Sequence, residues 1–512
     1  MIRFAVRKPW QNLKSVSSTG KTFMSSDHGI SFRELGAMVT NMAPNPIKLP
    51  ARILPGPIVE YKGYRVDAKG VTNGSWNMMN KQFQSRSTLS RPAILPIGVD
   101  VAPHKAEDLR NALRDAGVRE VHLQTLAKVP AQDQQWMAGI RNAARDGINF
   151  LFIILSDRNT QLYASIKSYA DRMVGIHTVC VINPKFRSAS PSYFANLALK
   201  VNLKVGGDNH TIAAGTFDHL HLLRQGNTMV VGIDVTHPSS TSDSAAPSVA
   251  GMVATVDSGL GQWPGILRAQ SAREEMVTDL QMMLESRLHL WKAKNKTYPK
   301  NILVYRDGVS DGQYAKVVLV ELTRLKAACQ KLYPQDGLQM PRMTLVVVGK
   351  RHNTRFYPVE GKGKQDKNGN TVPGLVVDQT VTEYGHWDFY LQSHAAIQGT
   401  ARPAHYIVLH DEIFRQSNWP KMSATEMLQL TTHGLCHMFG RATKGVSYCT
   451  PAYYADILCE RGRKYLANVF RDDAEINNAS NANQTGPSQA QVRNYQAELT
   501  IHENIRDSMF YL

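Results

Sequence analysis

The chain has 512 residues, 43% apolar and 20% charged, which fits a folded protein with several cores and excludes a fibrous or wholly disordered one. Lys and Arg number 59 against 42 Asp and Glu, and the surplus of 17 points to a polyanionic partner, nucleic acid first. Five cysteines without a C-x-x-C pair argue against a disulfide framework, and neither a membrane-length apolar run nor a signal-peptide core is present, so the expected compartment is the cytoplasm, with the nucleus left open and no membrane partner.

Residues 1–74 alternate short apolar stretches with Pro, Gly and Ser clusters and read as a linker wrapped on a larger body; NPIKLPARILPGP (45–57) is too proline-rich for a helix interior. From about residue 90 an α/β rhythm begins. AILPIGVDV (93–101), NFLFIILSD (149–157) and HTVCVI (177–182) read as strands, AEDLRNALRDAG (106–117) and QLYASIKSYADRM (161–173) as helices. That alternation predicts a parallel, doubly wound sheet closing near residue 225. A second α/β block follows, with strands over 229–235, 248–257, 301–307, 343–351 and 405–412 and a long helical pattern over 271–294. GKGKQDKNGNTVPG (361–374) is a basic loop without phosphate-loop spacing. NNASNANQTGPSQAQ (477–491) is low-complexity and is expected to form a disordered insert near 475–492.

Two of the strands end on a carboxylate, VVGID on Asp234 and ILVYRD on Asp307. Burying a carboxylate unpaired is costly, and two brought together repel unless a cation lies between them. Mg²⁺ takes oxygen ligands, and two such ions roughly 3.5–4 Å apart can activate a water and stabilise the leaving oxygen of a phosphodiester. Turn chemistry suits both aspartates as well, so the strand ends alone leave the choice open. PAYYADILCERGR (451–463) adds Asp456 and Glu460, four apart on one helix face, each able to pair instead with Arg461 or Arg463. Tyr163 and Lys167 share a face by the same spacing, as do Lys200 and Lys204. A tyrosine beside lysines suits a base stacked near a phosphate, although lysines so spaced usually mark a solvated face. His433, Cys436 and His437 lack a fourth zinc ligand and read as part of a core helix.

GIDVTHPSS (232–240), YRDGVSDGQY (305–314), KRHNTRFYP (350–358), DFYLQSHAAIQGTARPAHY (388–406) and TPAYYAD (450–456) resemble the PIWI domain of eukaryotic Argonaute proteins. LYASIK (162–167) and LALKVNLKVGG (197–207) resemble that family's MID domain; ILPGPIVEYKG (53–63) and GSWNMMNKQF (74–83) resemble the linker leading into it. The resemblance covers nearly the whole chain and implies an α/β C-terminal lobe, with a fungal RNA-silencing Argonaute among the candidates. Its parts would be a Rossmann-like MID domain over 75–225 and an RNase H-like PIWI domain over 226–512, without the family's amino-terminal and PAZ domains.

The resemblance further implies a catalytic tetrad of Asp234, Glu275, Asp307 and Asp456, with Asp234, Asp307 and Asp456 as ligands of Mg²⁺ or Mn²⁺. Glu275 comes from RAQSAREEM (268–276), where Glu274 adjoins it. Tyr163, Lys167, Lys200, Lys204 and Arg461 match the pocket for the 5′ phosphate of a small guide RNA. Lys350, Arg351, Arg355, Arg441, Ser447 and Tyr453 match positions along the guide backbone. Val179 departs from the pattern by standing where the family commonly has Gln. The implied activity is guide-directed cleavage of complementary target RNA, leaving a 5′ phosphate and a 3′ hydroxyl. The alternative is a catalytically weak guide-binding scaffold that silences through Trp-containing partner proteins.

Overall fold

The computed structural model describes residues 6–20, 45–467 and 495–512, apart from 69, 72, 133, 214–220, 225–226, 239–245, 362 and 418–421. The low-complexity stretch over 477–491 lies outside the described residues.

The first α/β unit is a four-stranded parallel sheet: the short strand Gln124–Thr125, then β1 (Pro92–Ile97), β2 (Phe150–Leu155) and β3 (His177–Ile182). Every residue of β1 and β2 is buried, because helices cover both faces. One face packs on α1 (Pro103–Asp115) and α4 (Pro191–Lys204), the other on α2 (Gln135–Arg145) and α3 (Thr160–Ser168). The helix expected over 161–173 stops at Ser168 and continues as one wider turn, Tyr169–Val174, to Gly175 at φ +72°.

The second unit is a nine-stranded sheet. Its strands are β4 (Thr228–Thr236), β5 (Ser248–Ala254), β6 (Gly265–Gln270), β7 (Asn301–Asp307), β8 (Arg342–Gly349), β9 (Leu375–Val377), β10 (Trp387–Gln392), β11 (Ala404–Asp411) and the edge pair Arg52–Ile53. Their spatial order is Arg52–Ile53, β9, β10, β11, β8, β7, β4, β5, β6. β4, β7 and β8 run parallel at the centre, and antiparallel strands extend both sides. Arg52 pairs with Val376 at the edge of this sheet, whereas Val59–Tyr61 pairs with Thr211–Ile212 and Tyr64–Val66 in a separate three-stranded sheet.

Helices α5 (Leu280–Asn295) and α6 (Thr323–Leu332) cover one face, α7 (Ala424–Cys436) and α8 (Thr450–Leu466) the other. α8 lies close on β4, where a Cβ at Gly232 would meet Pro451 O at 2.0 Å. That approach needs glycine and fixes the depth of α8. The helical pattern expected over 271–294 begins only at Leu280; residues 271–279 form turns, with Arg273 at φ +61°. No helix of the described residues is long and apolar enough to cross a membrane.

Candidate active site and anion pocket

The parallel centre of the large sheet delivers two acids to one edge, Asp234 near the end of β4 and Asp307 at the end of β7. They are 7% and 1% exposed. Glu275 reaches the same place from the turns after β6. A Cβ at Gly308, whose φ is +89°, would lie 3.3 Å from Glu275 Oε1 and 3.4 Å from Asp234 Oδ1, so both carboxylates overhang one glycine. Asp456 arrives on α8. Lys350, just past β8, joins it to Asp307: its Nζ lies 2.7 Å from Asp307 Oδ2 and 3.4 Å from Asp456 Oδ2. Tyr448 donates to Asp456 Oδ2 at 3.0 Å.

The electrostatics are those of crowded negative charge. Burial, then Asp307 and Asp456, raise the Asp234 pKa well above the carboxylate range. Burial is also the first cause of the raised Asp307 pKa, with Lys350 opposing it and Asp456 adding to it. Glu275 is fixed separately. His237 Nε2 meets its Oε2 at 2.8 Å, and the Arg306 guanidinium meets its Oε1 at 2.9 Å. Arg306 is fully buried and anchored in turn by Glu321 at 2.9 Å. His237 Nδ1 pairs with Ser248 Oγ at 2.8 Å, which orients the imidazole.

Does this donor set suit a divalent cation? It is all oxygen, as Mg²⁺ and Mn²⁺ prefer. Glu275 Oε1 and Asp307 Oδ2 are buried and each faces a cationic side chain, Arg306 at 2.9 Å and Lys350 at 2.7 Å. The residues therefore fit such ions. As placed, no three acidic, His or Cys side chains of the described residues gather tightly enough to chelate one ion.

A second cluster, of cations, lies where α3, α4 and α8 approach. Lys167, 2% exposed, donates through Nζ to Thr178 O at 2.7 Å and Oγ1 at 2.6 Å. Its Nζ stands 5.8 Å from the centre of the Tyr163 ring. Lys204 is fully buried and donates to Phe510 O. Arg461, 5% exposed, pairs with buried Asp171 at 2.7 Å and donates to Phe510 O and Leu512 O, each at 3.4 Å. Burial, then Arg441, Lys167 and Arg461, depress the Lys200 pKa to about 7. Burial and the neighbouring cations Lys167 and Arg461 likewise depress the Lys204 pKa, so five basic side chains crowd one another here.

Residues 150–467 match the family model of the Piwi domain. The chain belongs to the Argonaute family. Protein argonaute 5 of Arabidopsis thaliana is 31% identical over an alignment of 505 residues that covers 94% of this chain and 48% of that protein. The chain spans about half the length of the curated relatives it matches. The C-terminal lobe of a budding yeast Argonaute superposes with a TM-score of 0.74 at 26% identity, covering 91% of this chain and 95% of that one. Kluyveromyces polysporus Argonaute with a guide RNA gives the same TM-score and identity, covering 90% of this chain and 53% of that one. The α/β architecture is accordingly that of an Argonaute lobe: the first unit is the Rossmann-like MID domain and the nine-stranded unit the RNase H-like PIWI domain.

Within this Argonaute lobe, the four acids Asp234, Glu275, Asp307 and Asp456 meet at one edge of the PIWI sheet. Tyr163, Lys167, Lys200, Lys204 and Arg461 meet at the MID–PIWI seam. Glu275, not Glu274, carries the carboxylate held by His237 and Arg306. Glu460 is exposed and outside the acid cluster; Arg463 donates to His237 O at 2.6 Å.

The residues matched to the guide backbone divide. Arg351 is exposed, and Ser447 is half-buried. Tyr453 stacks on Phe439 with ring centres 4.6 Å apart. Arg355 is turned onto its own loop, donating to His352 O and Thr354 O. Arg441 stands with the basic cluster beside Lys200, and Lys350 with the acids. Val179 is 3% exposed and packs in the apolar core of the MID sheet. A strand alternates its faces, so Thr178 and Cys180 lie on the other side of β3, where Thr178 holds Lys167.

Sequence reasoning missed His237, Arg306, Tyr448 and Asp171. Two of these had a visible signal: His237 follows Asp234 by three residues, and Arg306 directly precedes Asp307. His433 and His437 are buried in and just beyond α7, with Ser393 Oγ 2.9 Å from His433 Nδ1, as the core reading expects.

Proposed function

We propose that the chain is a guide-RNA-directed endoribonuclease: the MID domain anchors the 5′ phosphate of a small guide RNA, and the PIWI domain hydrolyses the paired target RNA. The observation that carries this reading is the meeting of buried Asp234 and Asp307 with half-buried Glu275 and Asp456, contributed by four distant segments, in one acidic cluster. Solvated turn acids would have no reason to share a site at that electrostatic cost. The relative solved with a guide RNA supports the choice of ligand.

Asp234, Asp307 and Asp456 would hold Mg²⁺ or Mn²⁺, which when bound supplies an activated water and charge for the leaving oxygen. His237 and Arg306 hold the Glu275 carboxylate toward the same centre from a fixed direction. Lys167, Lys200, Lys204 and Arg461 neutralise a terminal phosphate of roughly −1.5 to −2 charge, and Tyr163 offers a face to the first base. Contacts of this kind position a strand without reading it, so target choice is left to base pairing.

The test loads a 5′-phosphorylated guide, adds complementary RNA with Mg²⁺, and compares the chain with Asp307→Ala. Expected is cleavage to 5′-phosphate and 3′-hydroxyl ends, lost in the variant and in chelator while guide binding persists. Guide binding without cleavage in the unmodified chain would favour the scaffold. Cleavage that survives Asp307→Ala would overturn the assignment of the acids.

A further inference from the structure

We propose that Lys350 is the built-in counter-cation of the acid cluster: its ammonium neutralises Asp307 and Asp456 until a divalent ion arrives, and must leave for that ion to enter. The inference rests on the metal-binding reading above and adds a competitor to it.

The first support is where the ammonium sits. Lys350 Nζ lies 2.7 Å from Asp307 Oδ2 and 3.4 Å from Asp456 Oδ2, two oxygens assigned to the metal. A lysine reserved for a strand phosphate would extend toward solvent, as the exposed Arg351 beside it can. The second is the contrast with Arg306, the other cation near Asp234. Arg306 is fully buried and tied to Glu321 at 2.9 Å, to Glu275 O at 2.6 Å and to the Glu275 carboxylate, so it cannot leave. Lys350 is 28% exposed in its side chain and has a flexible four-carbon stem. The third is its seat. The ammonium lies 4.0 Å from the centre of the Tyr448 ring, and Tyr448 itself holds Asp456. A cation–π face provides a partner on the apolar side without adding another carboxylate to compete for.

A divalent ion on the same two carboxylate oxygens repels an ammonium beside them, so their occupancies oppose each other. The coupling is reciprocal: whatever the lysine costs the metal, the metal costs the lysine.

Mn²⁺ alone is the probe, titrated into the full chain without RNA and followed by electron paramagnetic resonance of the free ion. The variants are Lys350→Met, Lys350→Gln and Asp307→Asn. Lys350→Met and Lys350→Gln are expected to bind Mn²⁺ about tenfold more tightly than the unmodified chain, within the usual range of site coupling. That binding should disappear when Asp307→Asn is added. In chelator both lysine variants should melt below the unmodified chain, and Mn²⁺ should raise their Tm by more. Asp307-dependent binding of equal or weaker affinity in the lysine variants overturns the counter-cation role and leaves the metal site standing. If no chain binds Mn²⁺ in an Asp307-dependent way, the metal-binding reading falls and this inference with it.

Discussion

Lys200 is the residue where the pocket's purpose becomes measurable. An amine depressed to about 7 by burial and by Arg441, Lys167 and Arg461 is part neutral at physiological pH before a ligand arrives. A dianionic phosphate favours the ammonium, so binding takes up a proton wherever the free amine is neutral. Affinity for a 5′-phosphorylated guide should therefore fall as pH rises through 7, by at most about tenfold per unit. Lys200→Ala should flatten that slope as well as weaken binding; an unchanged slope in a fluorescence-anisotropy titration would contradict the account. Asp171 acts through Arg461. Burial would raise its pKa, but Arg461, Lys167 and Lys204 together lower it. Its stabilising share is thus present above the ordinary carboxylate pKa and is lost as pH falls through the depressed one. Asp171→Ala leaves Arg461 buried without its carboxylate and should cost about 3–5 kcal/mol, read as a lower denaturation midpoint. His237→Ala should reduce cleavage by roughly 10–100-fold by loosening Glu275, with guide affinity unchanged.

The element on which both sites depend is α8. It carries Asp456 toward the acids and, five residues on, Arg461 toward the proposed phosphate pocket, about 7.5 Å along its axis. Gly232 sets its seat on β4, and a methyl there collides with Pro451 O. Gly232→Ala should cost about 1–3 kcal/mol and lower cleavage more than guide binding, because it moves α8 away from the sheet bearing Asp234. A variant with normal Tm and normal cleavage would contradict this. Most such elements are readable from sequence. β4, β7 and β8 announce themselves as apolar runs bounded by polar residues, since both faces of a covered sheet are dry. The antiparallel flank was less legible. β6 alternates buried and half-buried positions and contains Arg268 and Gln270, and β9 is only three residues long. Residues 271–279 carry helical composition, yet Glu275 is drawn to His237 and Arg306. Tertiary partners override propensity there, and no local pattern encodes them. Asp234 and Asp307 were visible as strand-end acids; that they meet follows only from β4 and β7 being parallel neighbours.

At the scale of the whole molecule, the surplus of 17 positive charges becomes a division of labour. The negative charge that matters is concentrated at one sheet edge, and buried cations gather at the MID–PIWI seam. Since α8 links the two sites rigidly, the guide's 5′ end should register the cut. Removing the 5′ phosphate, or introducing Lys204→Ala, should weaken guide loading and spread cleavage over several positions on a sequencing gel; one sharp, unchanged site would argue against a shared anchor. The central claim is that Asp234, Asp307 and Asp456 hold divalent ions at the sheet edge. The most direct measurement is an anomalous-difference map from crystals soaked in Mn²⁺. The account predicts a peak between these three carboxylates with Lys350 displaced from Asp307; ordered Mn²⁺ elsewhere and none at the three carboxylates would contradict it.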